Sequence, residues 1–192
     1  MALDGKQVGA FHKSHGANIH LLDEGRVAHR KDSYNKAVVF TEYPINIGGL
    51  FEVKIEDIGG GWAGSLRIGM TLECPDDIKV PLGALDLYKS CNYWILSAST
   101  VHHEGRERKV EFNVEELKVG DTVGCSIHED GKLHYYVNGQ DRGVSWDDKI
   151  PTSKALYGFA DVYGAVRKIR SLFHYDERMN CEDDSDLLDV TG

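Results

Sequence analysis

The chain has 192 residues, of which 41% are hydrophobic and 28% are charged, as is ordinary for a globular domain. Its net charge of −9 is concentrated in residues 176–192, which carry seven acidic side chains and one arginine. The rest of the chain is close to neutral, which argues against nucleic-acid binding. No apolar run approaches the roughly 20 residues of a membrane-spanning helix, so we expect membrane contact only through a partner.

In chain order, short runs of alternating apolar and polar residues are separated by glycines and other turn-forming residues. These runs predict strands at residues 19–22, 27–31, 37–41, 51–58, 66–73, 93–98, 109–113, 122–129, 132–138, 142–146, 155–163 and 166–173. Helix is predicted only at 82–88, and for one turn at 115–118. Many short strands with so little helix predict an all-β fold, a two-sheet antiparallel β-sandwich.

The glycine-rich segment 59–64 lies between two strongly alternating runs, at 51–58 and 65–73. The period of two predicts half-buried antiparallel strands with one solvated face, and it places Trp62 at a loop tip. Whether Trp62 faces a ligand or packs against the sandwich stays open. The same segment matches the GxGxxG pattern of dinucleotide sites by letter. Because it leads into a strand, it offers no helix N-terminus for a phosphate, and we expect no cofactor.

Residues 123–146 predict two consecutive hairpins, the second with a tight turn at Asn138-Gly139. Cys125 lies on the apolar face of the first hairpin and is predicted to be a reduced core thiol. The four cysteines show neither a CxxC pair nor regular spacing, which argues against a disulfide framework. With no signal-peptide pattern and no glycosylation sequon, cytoplasmic or nuclear residence is expected.

The candidate binding residues are aromatic side chains at loops and in the predicted strand at 155–163. In that strand Tyr157, Phe159, Asp161 and Tyr163 share one face, where aromatic rings could pack against a peptide and the acid could accept a hydrogen bond. Alternatively these aromatics form the core. This alternative is favoured for Phe159, and the binding role for Tyr163, because a glycine follows it. The candidate peptide-binding residues are Trp62, Tyr43, Tyr88, Trp94, Tyr157, Asp161 and Tyr163.

Patterns typical of catalysis or of metal binding are not apparent. The paired histidines His12 and His15, and likewise His102 and His103, lack a carboxylate or thiol at ligand spacing, so we expect solvated loop histidines and no metal. No GxSxG motif marks an activated serine. The residues therefore predict a domain that is not an enzyme and has no catalytic residues.

Fragments of the sequence, taken in order, resemble a known domain. They are Phe11-His12, Ala37-Val38-Val39-Phe40, Tyr43-Pro44, Trp62-Ala63-Gly64, Leu66-Arg67-Ile68-Gly69-Met70-Thr71, Leu117-Lys118-Val119-Gly120-Asp121, Val137-Asn138-Gly139 and Asp161-Val162-Tyr163-Gly164. Together they resemble the neuralized homology repeat, a β-sandwich related to SPRY and concanavalin-like folds. The resemblance covers residues 10–173.

This resemblance implies a non-catalytic recognition domain of the ubiquitin system. Family members hold short extended peptide segments of partners, including the cytoplasmic tails of Notch ligands. Some members carry a RING domain, but this sequence has no Cys/His cluster with zinc-ligand spacing. Residues 93–97 are most similar to a many-repeat branch, whose members serve as adaptors for a separate ubiquitin ligase and associate with centrioles.

The predicted organisation is a flexible lead at 1–10, the sandwich at 11–174, and an acidic, disordered tail at 175–192. A monomer or a weakly self-associating domain is expected. Two other functions stay open at this point. One is a lectin-like, carbohydrate-binding sandwich, and the other is a scaffold that works through self-association.

Overall fold

The computed structural model describes residues 6–59 and 61–176 of the chain. Within this part the polypeptide is built almost entirely from short strands. Their bounds are β1 Lys6–Val8, β2 Ile19–Leu22, β3 Val27–Arg30, β4 Val38–Phe40, β5 Phe51–Ile58, β6 Arg67–Thr71, β7 Tyr93–Ser97, β8 Thr100–His103, β9 Arg106–Lys109, β10 Thr122–Ile127, β11 Leu133–Val137, β12 Gln140–Trp146, β13 Tyr157–Asp161, β14 Val166–Ser171 and β15 His174–Asp176.

Two antiparallel sheets contain all but the first and last of these strands. One sheet has seven strands in the order β12-β11-β10-β5-β14-β3-β2, and the other has six in the order β4-β13-β6-β7-β8-β9. Short 3₁₀ turns at Ala84–Leu87 and Val114–Glu116 lie where helix is predicted. No helix in the described part is long and apolar enough to cross a membrane. The prediction of an all-β, two-sheet antiparallel sandwich is confirmed.

The main hydrophobic core lies between the facing surfaces of the two sheets. In β5 the side chains of Phe51, Val53 and Ile55 are fully buried and that of Lys54 is exposed, as the alternating pattern predicts. Burying each such side chain contributes about 1.5–3 kcal/mol. Tyr135 extends across this core and donates its hydroxyl to the carbonyl of Ile68 in the other sheet, at 3.0 Å.

Cys125 is also part of this core, as the sequence predicts. Its side chain is fully buried, and burial raises the pKa of the thiol. Cys74 and Cys91 are likewise free thiols.

The strands on either side of the glycine-rich loop belong to different sheets. β5 pairs with β10 and β14, and β6 pairs with β13 and β7, so the connection between β5 and β6 crosses from one sheet to the other. The prediction of one solvated face holds for β5 but is wrong for β6. Both faces of β6 are buried because residues 78–87 cover the outer side of its sheet.

The hairpins of residues 123–146 are present, with β11 paired to both β10 and β12. Asn138 and Gly139 have φ angles of 51° and 76°, as the predicted tight turn requires. The prediction is wrong for two polar strands. β8 is not predicted, and β9 lies upstream of the strand predicted at 109–113. β9 is an edge strand rich in charged residues, so no apolar alternation marks it.

The two ends of the described chain pair with each other. β1 and β15 form a separate two-stranded sheet, and the N–H of Gly9 donates to the carbonyl of Phe173 at 2.8 Å. These strands lie in segments predicted as a flexible lead and the start of a disordered tail. Residues 177–192, the rest of the predicted tail, lie outside the described residues.

Candidate functional site

Three loops meet at one end of the sandwich. They are residues 31–37 between β3 and β4, residues 59 and 61–66 between β5 and β6, and residues 162–165 between β13 and β14. The N–H of Gly164 donates to the carbonyl of Tyr34 at 3.1 Å, and the N–H of Ala165 donates to the carbonyl of Gly64 at 3.0 Å. These backbone bonds hold the three loops together at fixed positions.

Each of the three loops contributes one aromatic side chain to a shared surface, which we call the aromatic rim: Tyr34, Trp62 and Tyr163. The ring centroids of Tyr34 and Trp62 are 5.0 Å apart, and the ring of Tyr163 lies edge-on to Tyr34 at 5.8 Å. Trp62 is 48% exposed and Tyr34 is 38% exposed. Large aromatic side chains with this exposure are typical anchors of protein interfaces.

A buried ion pair supports the rim from below. The guanidinium carbon of Arg67 lies 3.7 Å from the ring centroid of Tyr163, a cation–π contact worth roughly 0.5–2 kcal/mol. Nη1 of Arg67 also lies 3.3 Å from Oδ2 of Asp161, which accepts the backbone N–H of Ala84 at 2.9 Å. The same carboxylate therefore positions both Arg67 and the start of the 3₁₀ turn.

Asp161 has no exposed surface, and its Oδ1 atom has no hydrogen-bond partner among the described residues. Burial raises the pKa of this carboxyl group, while the Ala84 N–H and the Arg67 charge oppose the rise. We predicted from the sequence that Asp161 would accept a hydrogen bond from a peptide. The structure instead directs its carboxylate to the chain's own Arg67 and Ala84.

Gly64 allows the ring of Tyr163 to lie directly against the loop backbone. Its φ angle is 80°, and a Cβ atom at this position would come within 2.7 Å of Cε1 of Tyr163. Only glycine combines this backbone conformation with so close a contact.

Arg30 holds the loop that carries Tyr163. Its side chain is buried, and its guanidinium donates to the carbonyls of Val162 at 2.7 Å, Gly164, and Val166 at 3.0 Å. Burial lowers the pKa of this guanidinium, and the nearby Asp161 opposes that effect. Because one guanidinium binds all three carbonyl groups, it fixes the position of the loop from inside the fold.

Of the sequence-predicted site residues, the structure brings together Trp62, Tyr163 and, through Arg67, Asp161. Trp94 and Tyr157 are only 3% and 2% exposed. Trp94 stacks on His103 with centroids 4.2 Å apart, and the hydroxyl of Tyr157 donates to Sγ of Cys74 at 3.7 Å. Both residues belong to strands of the six-stranded sheet that are covered on both faces, so they are not available to a peptide at the surface.

Tyr43 and Tyr88 lie elsewhere on the surface. Tyr43 follows β4, so it is at the opposite end of that strand from Tyr34, and it stacks on Tyr175 with centroids 4.3 Å apart. Tyr88 is 39% exposed, and its carbonyl accepts the N–H of Gly105 at 2.9 Å, beside the turn between β8 and β9.

Sequence reasoning missed three residues of this region. Tyr34 lies in a polar loop, Arg67 begins a strand, and Leu82 follows Pro81 ahead of the 3₁₀ turn. Leu82 is 59% exposed, and its carbonyl accepts the N–H of Lys36 at 2.8 Å, which places it beside the Tyr34 loop. The tyrosine in a turn-rich segment was a usable signal, whereas nothing local marks Arg67.

The histidines predicted to be solvated are partly in the interior. His12 and His103 are each 6% exposed, and Nδ1 of His103 lies 2.9 Å from the carbonyl of Tyr93. The prediction is wrong for these two residues because their rings pack within the fold.

Among the described residues, one group could hold a metal ion, and it is remote in sequence from the rim loops: His128, His134 and Asp141.

The two packed sheets, with three loops meeting at one end, define an antiparallel β-sandwich domain. The family model described as Neuralized matches residues 11–173, so the chain belongs to the Neuralized family.

Two curated relatives illustrate the range of similarity. The chain is 28% identical to "Protein neuralized" of Drosophila virilis over 168 residues, covering 84% of this chain and 20% of that protein. It is 27% identical to "E3 ubiquitin-protein ligase NEURL3" of Homo sapiens over 167 residues, covering 84% of this chain and 58% of that protein. The chain therefore spans only part of the length of each of these relatives.

Solved structures agree with the sandwich fold. The crystal structure of the Drosophila melanogaster neuralized NHR1 domain matches with a TM-score of 0.73 and 24% identity, covering 86% of this chain and 98% of that one. The crystal structure of the SPRY domain of human HERC1 matches with a TM-score of 0.61 and 13% identity, covering 89% of this chain and 100% of that one. At these identities the likeness concerns the fold.

Proposed function

We propose that this chain is a peptide-binding domain that holds a short extended segment of a partner protein at the aromatic rim. The observation that carries the proposal is the preformed cluster of the exposed Tyr34 and Trp62 with the half-buried Tyr163. Family membership supports a protein as the partner.

The energetics of the rim favour this use. Backbone hydrogen bonds between the loops, and the contact of Arg67 with Tyr163, position the rings before a partner arrives. Preorganisation lowers the entropic cost of binding on the domain's side, so the remaining cost is the ordering of the peptide, about 2–5 kcal/mol. A micromolar dissociation constant is the expected result.

We further propose that the domain selects partners for a ubiquitin-ligase pathway without performing the transfer itself. The similarity to a protein named as an E3 ubiquitin-protein ligase supports the pathway. In this proposal a separate ubiquitin ligase supplies the chemistry, the domain works in the cytoplasm or at centrioles, and Notch-ligand tails are among the candidate partners.

Fluorescence of Trp62 offers a direct test of the peptide site. Trp94 and Trp146 are 3% and 1% exposed, so the solvent-quenchable emission of the domain comes mainly from Trp62. Peptides are first selected from a displayed random library with the purified domain. Each selected peptide should then shift the emission of Trp62 and protect its ring from quenching by acrylamide. Separately, partner proteins captured with the domain can be probed for ubiquitin ligases.

Substitutions separate a role in binding from a role in folding. Tyr34→Ala and Trp62→Ala should weaken peptide binding, measured by calorimetry, at least tenfold and change the melting temperature little, because both side chains are exposed. Tyr88→Ala is the matched control, since Tyr88 has almost the same exposure as Tyr34 but lies away from the rim. If the library yields no peptide, or if binding survives both rim substitutions, the proposal fails.

A further inference from the structure

A second cluster of chemically active side chains lies on the seven-stranded sheet, just after β10 and on β11 and β12. The imidazole rings of His128 and His134 stack, with centroids 3.7 Å apart and ring planes 10° from parallel. Nδ1 of His134 is 3.0 Å from both carboxylate oxygens of Asp141. Nε2 of His128 is 3.0 Å from the hydroxyl of Tyr136.

Strand register explains why these residues meet. His134 is opposite Ser126 at the end of β10, and His128 continues that ladder with its N–H bonded to the carbonyl of Lys132 at 3.0 Å. The pairing of β11 with β12 is interrupted on both sides of His134, and such irregularities redirect side chains. The backbone N–H of Gly143 donates to Asp141 at 2.8 Å and so holds the carboxylate beside the histidine.

The geometry points to a metal site, and we propose that His128, His134 and Asp141 bind one divalent transition-metal ion of the zinc class. One ligand atom from each residue lies within 4.8 Å of the other two. Two imidazoles and one carboxylate suit zinc, whereas magnesium and calcium prefer ligand sets made of oxygen.

Binding requires a modest rearrangement of one ring. Ligand atoms around a tetrahedral zinc ion lie roughly 3.3 Å apart, and an ion lies in the plane of each imidazole it binds. The His134–Asp141 separation already fits. The ring of His128 must turn out of the parallel stack and approach by up to about 1.5 Å. Its position after the last residue of β10, at an open depression lined by Gly48, Glu129 and Asp130, gives it room to do so.

The surroundings of the three ligands support the assignment. The side chain of His134 is only 12% exposed, so its ring is already held in place beside Asp141. The hydroxyl of Tyr136 lies 3.0 Å from Nε2 of His128, close enough to become an outer-shell partner of that ring once it has turned. A bound ion would fasten the edge strand β12, whose first five residues are exposed, to the rest of the sheet.

Calorimetric titration of zinc into the metal-free, reduced and untagged domain tests the proposal. We expect one equivalent to bind with a dissociation constant on the order of micromolar, and cobalt to give visible absorption bands typical of tetrahedral coordination. At a hundredfold excess over the dissociation constant, zinc should raise the melting temperature by about 5 °C or more.

Variants distinguish this site from binding elsewhere. His128→Ala, His134→Ala and Asp141→Asn should each weaken zinc binding at least tenfold and remove the thermal shift. His102→Ala is the matched control and should change neither, because its ring is similarly buried and lies 3.4 Å from a single carboxylate, that of Glu107. If His134→Ala does not fold, His134→Gln replaces it.

The proposal is overturned by either of two results. One is a wild-type dissociation constant weaker than roughly millimolar, which would mean that no specific site exists. The other is zinc binding that persists in the folded variants of all three ligands, which would place the ion elsewhere on the chain.

Discussion

At the residue scale, Asp161 connects the interior to the rim. Its carboxylate is fully buried and accepts from the Arg67 guanidinium and from the Ala84 backbone, while Arg67 covers the ring of Tyr163. Removing one member of a buried ion pair usually costs more than the pair contributes, because the other charge remains buried. Asp161 is therefore a positioning residue whose effect on a partner would be transmitted through Arg67 and Tyr163.

The pH dependence of stability should reveal this buried carboxyl group. Burial, its largest cause, raises the pKa of Asp161 in the folded state, so the folded protein retains this proton to a higher pH than the unfolded chain does. Its contribution to stability is therefore favourable at low pH and falls as the pH rises through the folded-state pKa. We expect the unfolding free energy of Asp161→Asn minus that of wild type, measured by urea unfolding, to increase as the pH rises from about 4 through the folded-state pKa of Asp161.

Carboxyl groups elsewhere are common to both proteins and cancel from this comparison. A stability difference that stays constant across the range would mean that Asp161 titrates alike in the folded and unfolded states.

At the scale of elements, the loop between β5 and β6 does more than link two strands. It crosses between the sheets, carries Trp62, and lets Tyr163 approach through Gly64. The alternating pattern in β5 and β6 predicts which of their side chains are buried. It does not predict which other loops lie beside the loop that connects these two strands. Arg67 and Asp161 are 94 residues apart, so their contact has no local signature.

Two glycines of this loop allow a controlled comparison. Gly61 and Gly64 both have positive φ angles, 70° and 80°, but a Cβ atom at Gly61 would meet nothing within 4 Å. We expect Gly61→Ala to cost about 1–2 kcal/mol of unfolding free energy from backbone strain alone. Gly64→Ala should cost roughly 1–3 kcal/mol more, because its methyl group would also displace the ring of Tyr163.

The same pair of variants addresses the rim. Gly64→Ala should weaken binding of a selected peptide, and Gly61→Ala should weaken it less. Equal stability losses in the two variants, measured by chemical denaturation, would show that the Tyr163 contact imposes no constraint.

At the scale of the whole molecule, the two ends of the described chain pair with each other and pack against the sandwich. β1 and β15 lie outside the residues matched by the family model, yet they pair with each other, and Tyr175 stacks on Tyr43. Phe173, just before β15, contacts the rings of Phe11 and Phe51. The folded unit therefore extends a few residues beyond the predicted domain bounds of 11–174.

Deletion of each end should have unequal effects. Removing residues 1–8 takes away β1 and its ladder with β15, so we expect the melting temperature to fall by about 2–6 °C. Removing residues 177–192, which sequence composition predicts to be disordered, should change it by no more than about 1 °C. Thermal unfolding followed by circular dichroism measures both, and the opposite ranking would contradict the proposed bounds.

The sequence by itself determined most strands of the two sheets, the side of β5 that faces the core, and the tight turn at Asn138-Gly139, because alternation and turn chemistry are properties of neighbouring residues. It also indicated Trp62 and Tyr163 as candidate contact residues. The tertiary structure alone decided that Tyr34 joins them, that Trp94 and Tyr157 are interior, and that Asp161 serves Arg67. These outcomes depend on which strands become neighbours, and that is set by the packing of the two sheets over long sequence separations.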